Sequence, residues 1–395
     1  MLRTIRSDQL RPGMYVQRLS GAWHADAVAR IRDSGIDALV IDTEQGLDTD
    51  VSSGSAAPRP VAVPDAPGLL QDCVPRPPSP ARQEGSFESE VRHARNLLQE
   101  GRALVEAMFG EARLGRSVDT AAVTPLVRAV CASVLRNPHA LVSVARLKTA
   151  DDYTYLHSMA VAGLMAALAR GLGMPEDEVQ AAARGGLLHD MGKAMSPLHV
   201  LNKPGRLTDD EFDTMRRHPE DGHRLLVDSG VDDAAALDIA LRHHEKMDGT
   251  GYPGRLSGED ISRLARMAAV CDVYDAITSD RPYKRGWCPA DALRQMASWT
   301  GHFDPVIFQA FVKSLGIYPV GTLVRLQSQQ LAVVIEQVPG ALLKPRVRVF
   351  HCLRRRARIL MHDLDLATAG DRDRILQSES PADFGLRDLE KLWLP

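Results

Sequence analysis

Leu187-Leu188-His189-Asp190-Met191-Gly192-Lys193 is the stretch on which the reading of this chain turns. Two leucines carry an apolar stripe to a helix end. Where the stripe would continue inward, the chain places a histidine and an aspartate side by side. Such a pair offers one neutral nitrogen and one carboxylate whose two oxygens can bridge two cations. Taken alone it is more often a helix end with a charged tail, so its meaning depends on what else reaches the same core.

Four other helical segments place metal-competent side chains on their inward stripes. His157 shares a face with Val161, Leu164 and Leu168, where a single histidine is ordinarily a satisfied core residue. Thr208 and Glu211 form a capping-box signature opening a predicted helix with Phe212, Met215, His218 and Gly222 on one face, and Pro219 must kink or break it. The stripe Leu237, Ala240, Leu241 and His244 runs into His243-His244-Glu245, so at least one of the two histidines faces the core. Ile261, Leu264, Ala268, Asp272 and Asp275 share a face that would bury two carboxylates, and buried charges are paired or bound to metal.

Each signal is weak by itself. A helical core that receives four or five imidazoles and two or three carboxylates needs cations to neutralise it, so together they predict a polynuclear metal site. Imidazole and carboxylate without thiolate suit iron, manganese, zinc or nickel and argue against a structural zinc knot. Cys271 falls on a neighbouring face and reads as packing.

Glu245 to Gly254 forms a loop with three glycines and a proline, and Tyr252 is its one large side chain. Lys193 follows the His-Asp pair, Lys203 lies in Asn202-Lys203-Pro204-Gly205, and Arg281, Lys284 and Arg285 follow the two-carboxylate helix. Cationic side chains gathered at metal-bearing segments suit a phosphate ester substrate.

Around this centre, 395 residues with 44% hydrophobic content allow two or three domains. Residues 1–50 read as a small α+β module, with strand-like Met14-Tyr15-Val16, a helical pattern at 25–31 and a strand at 38–41. Residues 51–86, rich in proline, read as a flexible linker. Residues 87–318 are predicted all-helical, opening on the stripe Val91, Leu97, Leu98, Leu104, Val105 and Met108. Residues 319–395 form a β-rich appendage with runs at 322–326, 331–337, 346–350 and 358–361. The fold class is therefore mainly α. Arg354, Arg355, Arg356 and Arg358 read as a solvated strand face with no assigned role.

A formal charge of -3 gives no field for drawing in DNA or an anionic membrane, so phosphate binding must be local. Five scattered cysteines fit a reducing compartment, the longest apolar run, Met159 to Ala169, is too short to span a bilayer, and the charged start MLRTIRSDQL has no apolar export-signal stretch behind it. The expected location is cytoplasmic. The sequence leaves the oligomeric state open, with a homodimer as one candidate.

The segments YTYLHS (153–158), LLHDMGK (187–193), LNKPGRLT (201–208), MRRHPEDG (215–222), HHEKMDGTGYPG (243–254) and DVYDAITSDRPYKR (272–285) resemble the HD-GYP branch of the HD-domain phosphohydrolases, in that family's order. DQLRPGMYV and GIDALVIDTEQG, within residues 1–50, resemble the small domain that often precedes HD-GYP domains, with its middle shortened. The run 316–321 and the β-rich tail also look like the ending of this subgroup.

The resemblance implies an all-helical HD-type metal-dependent domain that hydrolyses cyclic di-GMP to pGpG, and in many members onward to GMP. It makes His157, His189, Asp190 and Asp272 ligands of a first metal, with Asp190 bridging to a second held by His218, His243 and His244. It matches Lys193, Arg281 and Lys284 to phosphate-contacting positions and Tyr252 to the signature tyrosine at the edge of the site. Some members hold a third metal through a glutamate one helical turn before the first histidine. Tyr153 stands at that position here, so the expected site is binuclear, with iron or manganese ahead of zinc or nickel. Asp190 is expected to orient the metal pair, and Asp272 or Lys193 to manage the proton. Signalling protein partners are expected at the glycine-rich loop or the N-terminal module. Two rival readings are an HD hydrolase of nucleotides or alarmones, and a slow cyclic-dinucleotide-binding signalling adaptor.

Overall fold

The computed structural model describes residues 2–6, 38–42, 87–146, 153–279, 286–338, 340–368, 373–386 and 388–394. The chain divides into two units, residues 1–78 and 79–395. In the first, β1 (Leu2–Arg6) pairs antiparallel with β2 (Ala38–Asp42), Thr4 opposite Val40. The strand expected at 38–41 is present, and β1 is an addition. The patterns read at 14–16 and 25–31 and the linker at 51–86 lie outside the described residues.

In the second unit, α1 (Phe87–Arg113), α2 (Val123–Arg136) and α3 (Ala140–Ala145) precede α4 (Tyr153–Gly171). In α4, Met159, Val161, Leu164, Met165 and Leu168 are all buried, as befits a helix apolar all round. It is the central element of the bundle, packed against α1, α2, α5 (Glu176–Leu188), α10 (Arg263–Thr278) and α12 (Pro305–Leu315). His157 therefore enters the interior from an element with no solvent face to turn to.

Between α5 and α10 the chain runs through a 3₁₀ turn (Met191–Met195), α6 (Leu198–Leu201), α7 (Asp209–Met215), α8 (His218–Asp228) and α9 (Ala234–Arg242). Thr208 and Glu211 make the reciprocal capping box at the start of α7. The single helix expected through Gly222 is two helices. Pro219 has no N–H to donate, so it occupies the first turn of α8, where none is needed. Phe212, expected on the inward face, is exposed in consequence.

After α11 (Pro289–Ser298) and α12, β3 (Leu323–Leu326), β4 (Gln330–Glu336), β5 (Arg346–Cys352), β6 (Ala357–Asp365) and β7 (Ile375–Ser378) form an antiparallel sheet in the order β6-β5-β4-β3-β7. Four of these strands coincide with the runs read from the sequence, and β7 is an addition. Trp393 seals the sheet to the start of α1, its ring 6.4 Å from that of Phe87. Arg354, Arg355 and Arg356 are exposed in the β5–β6 turn, and Arg358 is exposed on β6. Among the described residues no helix is long and apolar enough to cross a membrane.

Candidate metal centre

Close backbone packing brings the ligand-type side chains together. At Gly186 an added Cβ would lie 3.2 Å from the backbone of Ala162, so α5 approaches α4 closely enough for His189, at its end, to reach His157. The two rings stand 5.1 Å apart. At Gly192 a Cβ would meet the carbonyl oxygen of His218 at 1.9 Å and the nitrogen of Gly222 at 2.5 Å, so only glycine lets the 3₁₀ turn cross α8. Asp190 thus sits between the helices that carry His189 and His218. On α9 the buried stripe is Ala236, Ile239, Ala240 and His243, one position off the expected one, and His244 is the half-buried member of the pair.

Asp190 faces two ways. Its Oδ2 is 3.3 Å from Nε2 of both His157 and His189, and its Oδ1 is 3.4 Å from Nε2 of His218 and 3.8 Å from Nε2 of His243. Asp272 places Oδ1 3.1 Å from Nε2 of His157 and 3.7 Å from Nε2 of His189, with Oδ2 3.9 Å from Nδ1 of His244. Among the described residues, three sets have donor atoms within 4.8 Å of one another: His157, His189 and Asp272; His189, Asp190 and His243; and His218, His243 and His244.

The remote nitrogens are already engaged. Nδ1 of His157 contacts Asp275 Oδ2 at 2.7 Å, that of His189 the Gly186 carbonyl at 2.8 Å, and that of His218 the Met215 carbonyl at 2.7 Å. Nδ1 of His243 lies 3.0 Å from the Ile239 carbonyl. An Nδ1–H donated outward leaves the Nε2 lone pair aimed inward, which is the arrangement of metal-ligating imidazoles. His189 Nε2 and Asp190 Oδ1 are buried without a hydrogen-bond partner, an arrangement that costs free energy unless a cation satisfies it. His218 Nε2 and His243 Nε2 stand 3.2 Å apart, as do two nitrogens on one cation at about 2.1 Å, which are spaced by roughly 3.0–3.4 Å. The residues fit a metal pair.

Electrostatics divides the cluster. Burial alone would depress His157 and His189, but the close carboxylates of Asp190 and Asp272, with Asp275 at His157, outweigh it and push the two imidazoles up to about 10 and about 9, so these carboxylates call for positive charge at Nε2, a proton wherever no cation supplies it. Burial, reinforced by Lys193, pushes His218 down to about 4 against the pull of Asp190, and burial with His218 and Lys193 pushes His244 down to about 3 against Asp272. His243 is driven well below its ordinary value by burial and three neighbouring histidines. Burial would raise Asp190 and Asp272, yet the surrounding imidazoles, with Lys193 at Asp190, hold both carboxylates well below their usual range. One half of the cluster is carboxylate-rich and the other is neutral imidazole.

The flanking groups separate on inspection. Lys193 Nζ binds Asp190 Oδ2 at 2.5 Å. Lys203, expected to gather at the metal segments, is instead held by Glu211 Oε2 at 2.5 Å, because the carboxylate of the capping box lies within its reach. Arg281, Lys284 and Arg285 lie outside the described residues. Tyr252 packs against His244 with ring centroids 4.7 Å apart and planes tilted by 30°, and burial followed by the charge of Asp272 pushes its phenol up, so it remains a proton donor. Cys271 is fully buried packing, its thiol pushed well up by burial.

Two residues had no assigned role in the sequence. Asp275 orients His157, and the signal was its place three residues after Asp272 on the same buried face. Glu245 is buried and accepts N–H donors from Gly254 at 2.6 Å and Leu256 at 3.1 Å. The loop wraps so tightly that a Cβ at Gly251 would lie 2.5 Å from the Cα of Glu245. Its signal was an acid directly behind two core-facing histidines.

A family model described as an HD domain matches residues 133–307, and one described as a domain of unknown function (DUF3391) matches residues 2–123. A curated cyclic di-GMP phosphodiesterase of Pseudomonas aeruginosa is 49% identical over 100% of this chain and 96% of its own length. The chain belongs to the HD-GYP family. A cyclic di-GMP phosphodiesterase response regulator of Xanthomonas campestris is 44% identical over 43% of this chain and 47% of its own length. A 3'3'-cGAMP-specific phosphodiesterase of Vibrio cholerae is 36% identical over 40% of this chain and 31% of its own length. The HD-domain match, residues 133–307, contains every residue of the buried cluster.

Proposed function

We propose that this chain is a metal-dependent phosphodiesterase that opens cyclic di-GMP, with linear pGpG or GMP as the end product. Residues 87–318 are its catalytic part, and residues 1–50, joined through 51–86, receive a signal. One observation carries the reading: a buried carboxylate, Asp190, lies between two sets of inward-facing imidazoles, with His189 Nε2 and Asp190 Oδ1 lacking hydrogen-bond partners. His157, His189, Asp190 and Asp272 would hold one divalent cation, and His218, His243 and His244 would hold a second that shares Asp190. Iron or manganese suits this donor set ahead of zinc or nickel.

Two such cations supply Lewis acidity, which lowers the pKa of water and neutralises charge on a phosphate oxygen. Asp190 keeps both halves in register through its two oxygens. Lys193, with its side chain 23% exposed, sets a positive charge beside Asp190 where a phosphate can reach it. Asp272 or Lys193 would manage the proton. Tyr252 closes the half-exposed side at His244 and can donate to substrate from its phenol. Arg281 and Lys284 are proposed to hold the phosphate from the segment after α10. Protein partners are assigned to the loop at 245–254 or to residues 1–50.

A nucleotide or alarmone hydrolase would need only the four carboxylate-side ligands, and would leave the three packed imidazoles of His218, His243 and His244 without a task. Purification with iron or manganese under reducing conditions, followed by incubation with cyclic di-GMP and separation of products, is expected to yield pGpG or GMP. Retained binding with neither product would make the chain an adaptor. The double substitution His189→Ala with Asp190→Ala is expected to abolish both metal content and turnover, and unchanged metal content would show the site to be elsewhere.

A further inference from the structure

The cluster opens towards solvent at His244, whose side chain is 21% exposed, and Tyr252 covers that side. Arg216 stands just beyond. It follows the last residue of α7, two positions before His218, and its guanidinium carbon lies 4.9 Å from the ring centroid of Tyr252 and 5.8 Å from that of Phe212. Its acidic neighbour is Asp213 at 3.8 Å, which is 74% exposed, and a surface pair of that kind holds an arginine weakly. Phe212 is itself 49% exposed. The rim of the site thus consists of an exposed aromatic ring, a stacked guanidinium and a tyrosine that touches a ligand-type histidine.

A guanidinium held by aromatic faces keeps its in-plane N–H groups free, and two of them form a fork that matches two coplanar acceptor atoms. A cyclic dinucleotide presents such pairs twice over on the half that is not being cut: O6 and N7 of a guanine, or two oxygens of the second phosphate. The cluster itself can engage one phosphodiester. We propose that Arg216 is a specificity-determining residue that binds the uncut half of the cyclic dinucleotide through this fork, with Tyr252 and Phe212 as its support. The inference rests on the phosphodiesterase reading above.

The test compares the metal-loaded full-length protein with its Arg216→Met and Arg216→Lys variants on three substrates: cyclic di-GMP, cyclic di-AMP and bis(p-nitrophenyl) phosphate, a diester with no base and no second phosphate. In Arg216→Met the ratio of kcat/KM for cyclic di-GMP to that for the small diester is expected to fall about tenfold, mostly through KM. Lysine, which has charge without a fork, is expected to restore only a minor part. If cyclic di-GMP loses its advantage over cyclic di-AMP, the contact is to guanine; if both fall together, it is to the second phosphate. Either result supports the inference.

A ratio that stays within about twofold of that of the unsubstituted protein, at equal metal content, overturns it. If Arg216→Met loses metal, the lysine variant decides by the same ratio. Should the unsubstituted protein cleave the small diester and leave cyclic di-GMP intact, the functional reading fails and this inference falls with it.

Discussion

Replacing Asp275 with Asn tests whether the carboxylate behind His157 tunes the metal centre. Asp275 is buried, and its Oδ2 lies 2.7 Å from Nδ1 of His157 while its Oδ1 accepts from Ser279 Oγ at 3.4 Å. The amide has nearly the same shape, so packing is preserved and the negative charge is lost. His157 then loses the partner that fixes its tautomer and raises its basicity. Losing such an outer partner costs about 10–100-fold in metal affinity. An independent route gives the same scale: a buried N–H left without its acceptor costs about 1–3 kcal/mol, and 1.4 kcal/mol is a factor of about ten. Asn can still turn its oxygen to the imidazole, so Asp275→Asn is expected near tenfold and Asp275→Ala near a hundredfold. Titration of metal-free protein with manganese, read by equilibrium dialysis and elemental analysis, measures this directly. Circular dichroism confirms that the variants are folded. Full affinity in a folded Asp275→Ala protein would refute the argument that His157 is aimed by its outer partner.

Two further outcomes follow from contacts away from the cations. Glu90 is buried and receives Arg136 Nε at 2.6 Å, Arg136 Nη2 at 2.9 Å and Ser133 Oγ at 2.8 Å. Burial would raise its carboxyl, but Arg136 and Ser133 outweigh that and lower it, so its contribution to stability is present above about pH 4.5 and is lost as pH falls through the lower folded-state value. Thermal melts from pH 7 to pH 3 are expected to show that loss, and Glu90→Gln should melt lower at pH 7 by about 1–3 kcal/mol and show a shallower acid decline; an unchanged profile would sink the assignment. Glu245→Ala removes the acceptor of two loop N–H groups, costing about 1.5–3 kcal/mol for each charged hydrogen bond at most. It should reduce turnover of cyclic di-GMP more than it reduces metal content, measured side by side, and equal activity would show that the loop holds its place without it.

Six of the seven ligand-type positions could be read from the sequence because they interrupt or end an apolar stripe, and a polar group at a core position demands a partner; His243 was legible only as one of a doublet, and the stripe pointed to His244 where His243 is the fully buried member. What periodicity cannot supply is the partner's identity. Asp275 was visible as a buried carboxylate, but its pairing with His157 spans 118 positions of chain and is fixed by how α10 meets α4. Lys203 shows the converse error: nearness in sequence to a metal segment suggested a phosphate contact, while the side chain is taken by a carboxylate eight residues on. The break between α7 and α8 was signalled by Pro219, yet the outward turn of Phe212 required knowing where α7 ends. β1 and β7 are short strands without a pattern of their own, and pairing makes them.

The crossing at Gly192 and Gly222 bears on how this centre can vary. At Gly222 an added Cβ would stand 3.0 Å from the nitrogen of Gly192, so main chain rests on main chain between the two halves of the cluster. The gap between the two proposed cation positions would thereby be gauged by peptide groups, whose size no substitution elsewhere changes. A ligand on either side can be exchanged, and the preferred metal altered with it, while the spacing that a bridging oxygen must span stays the same.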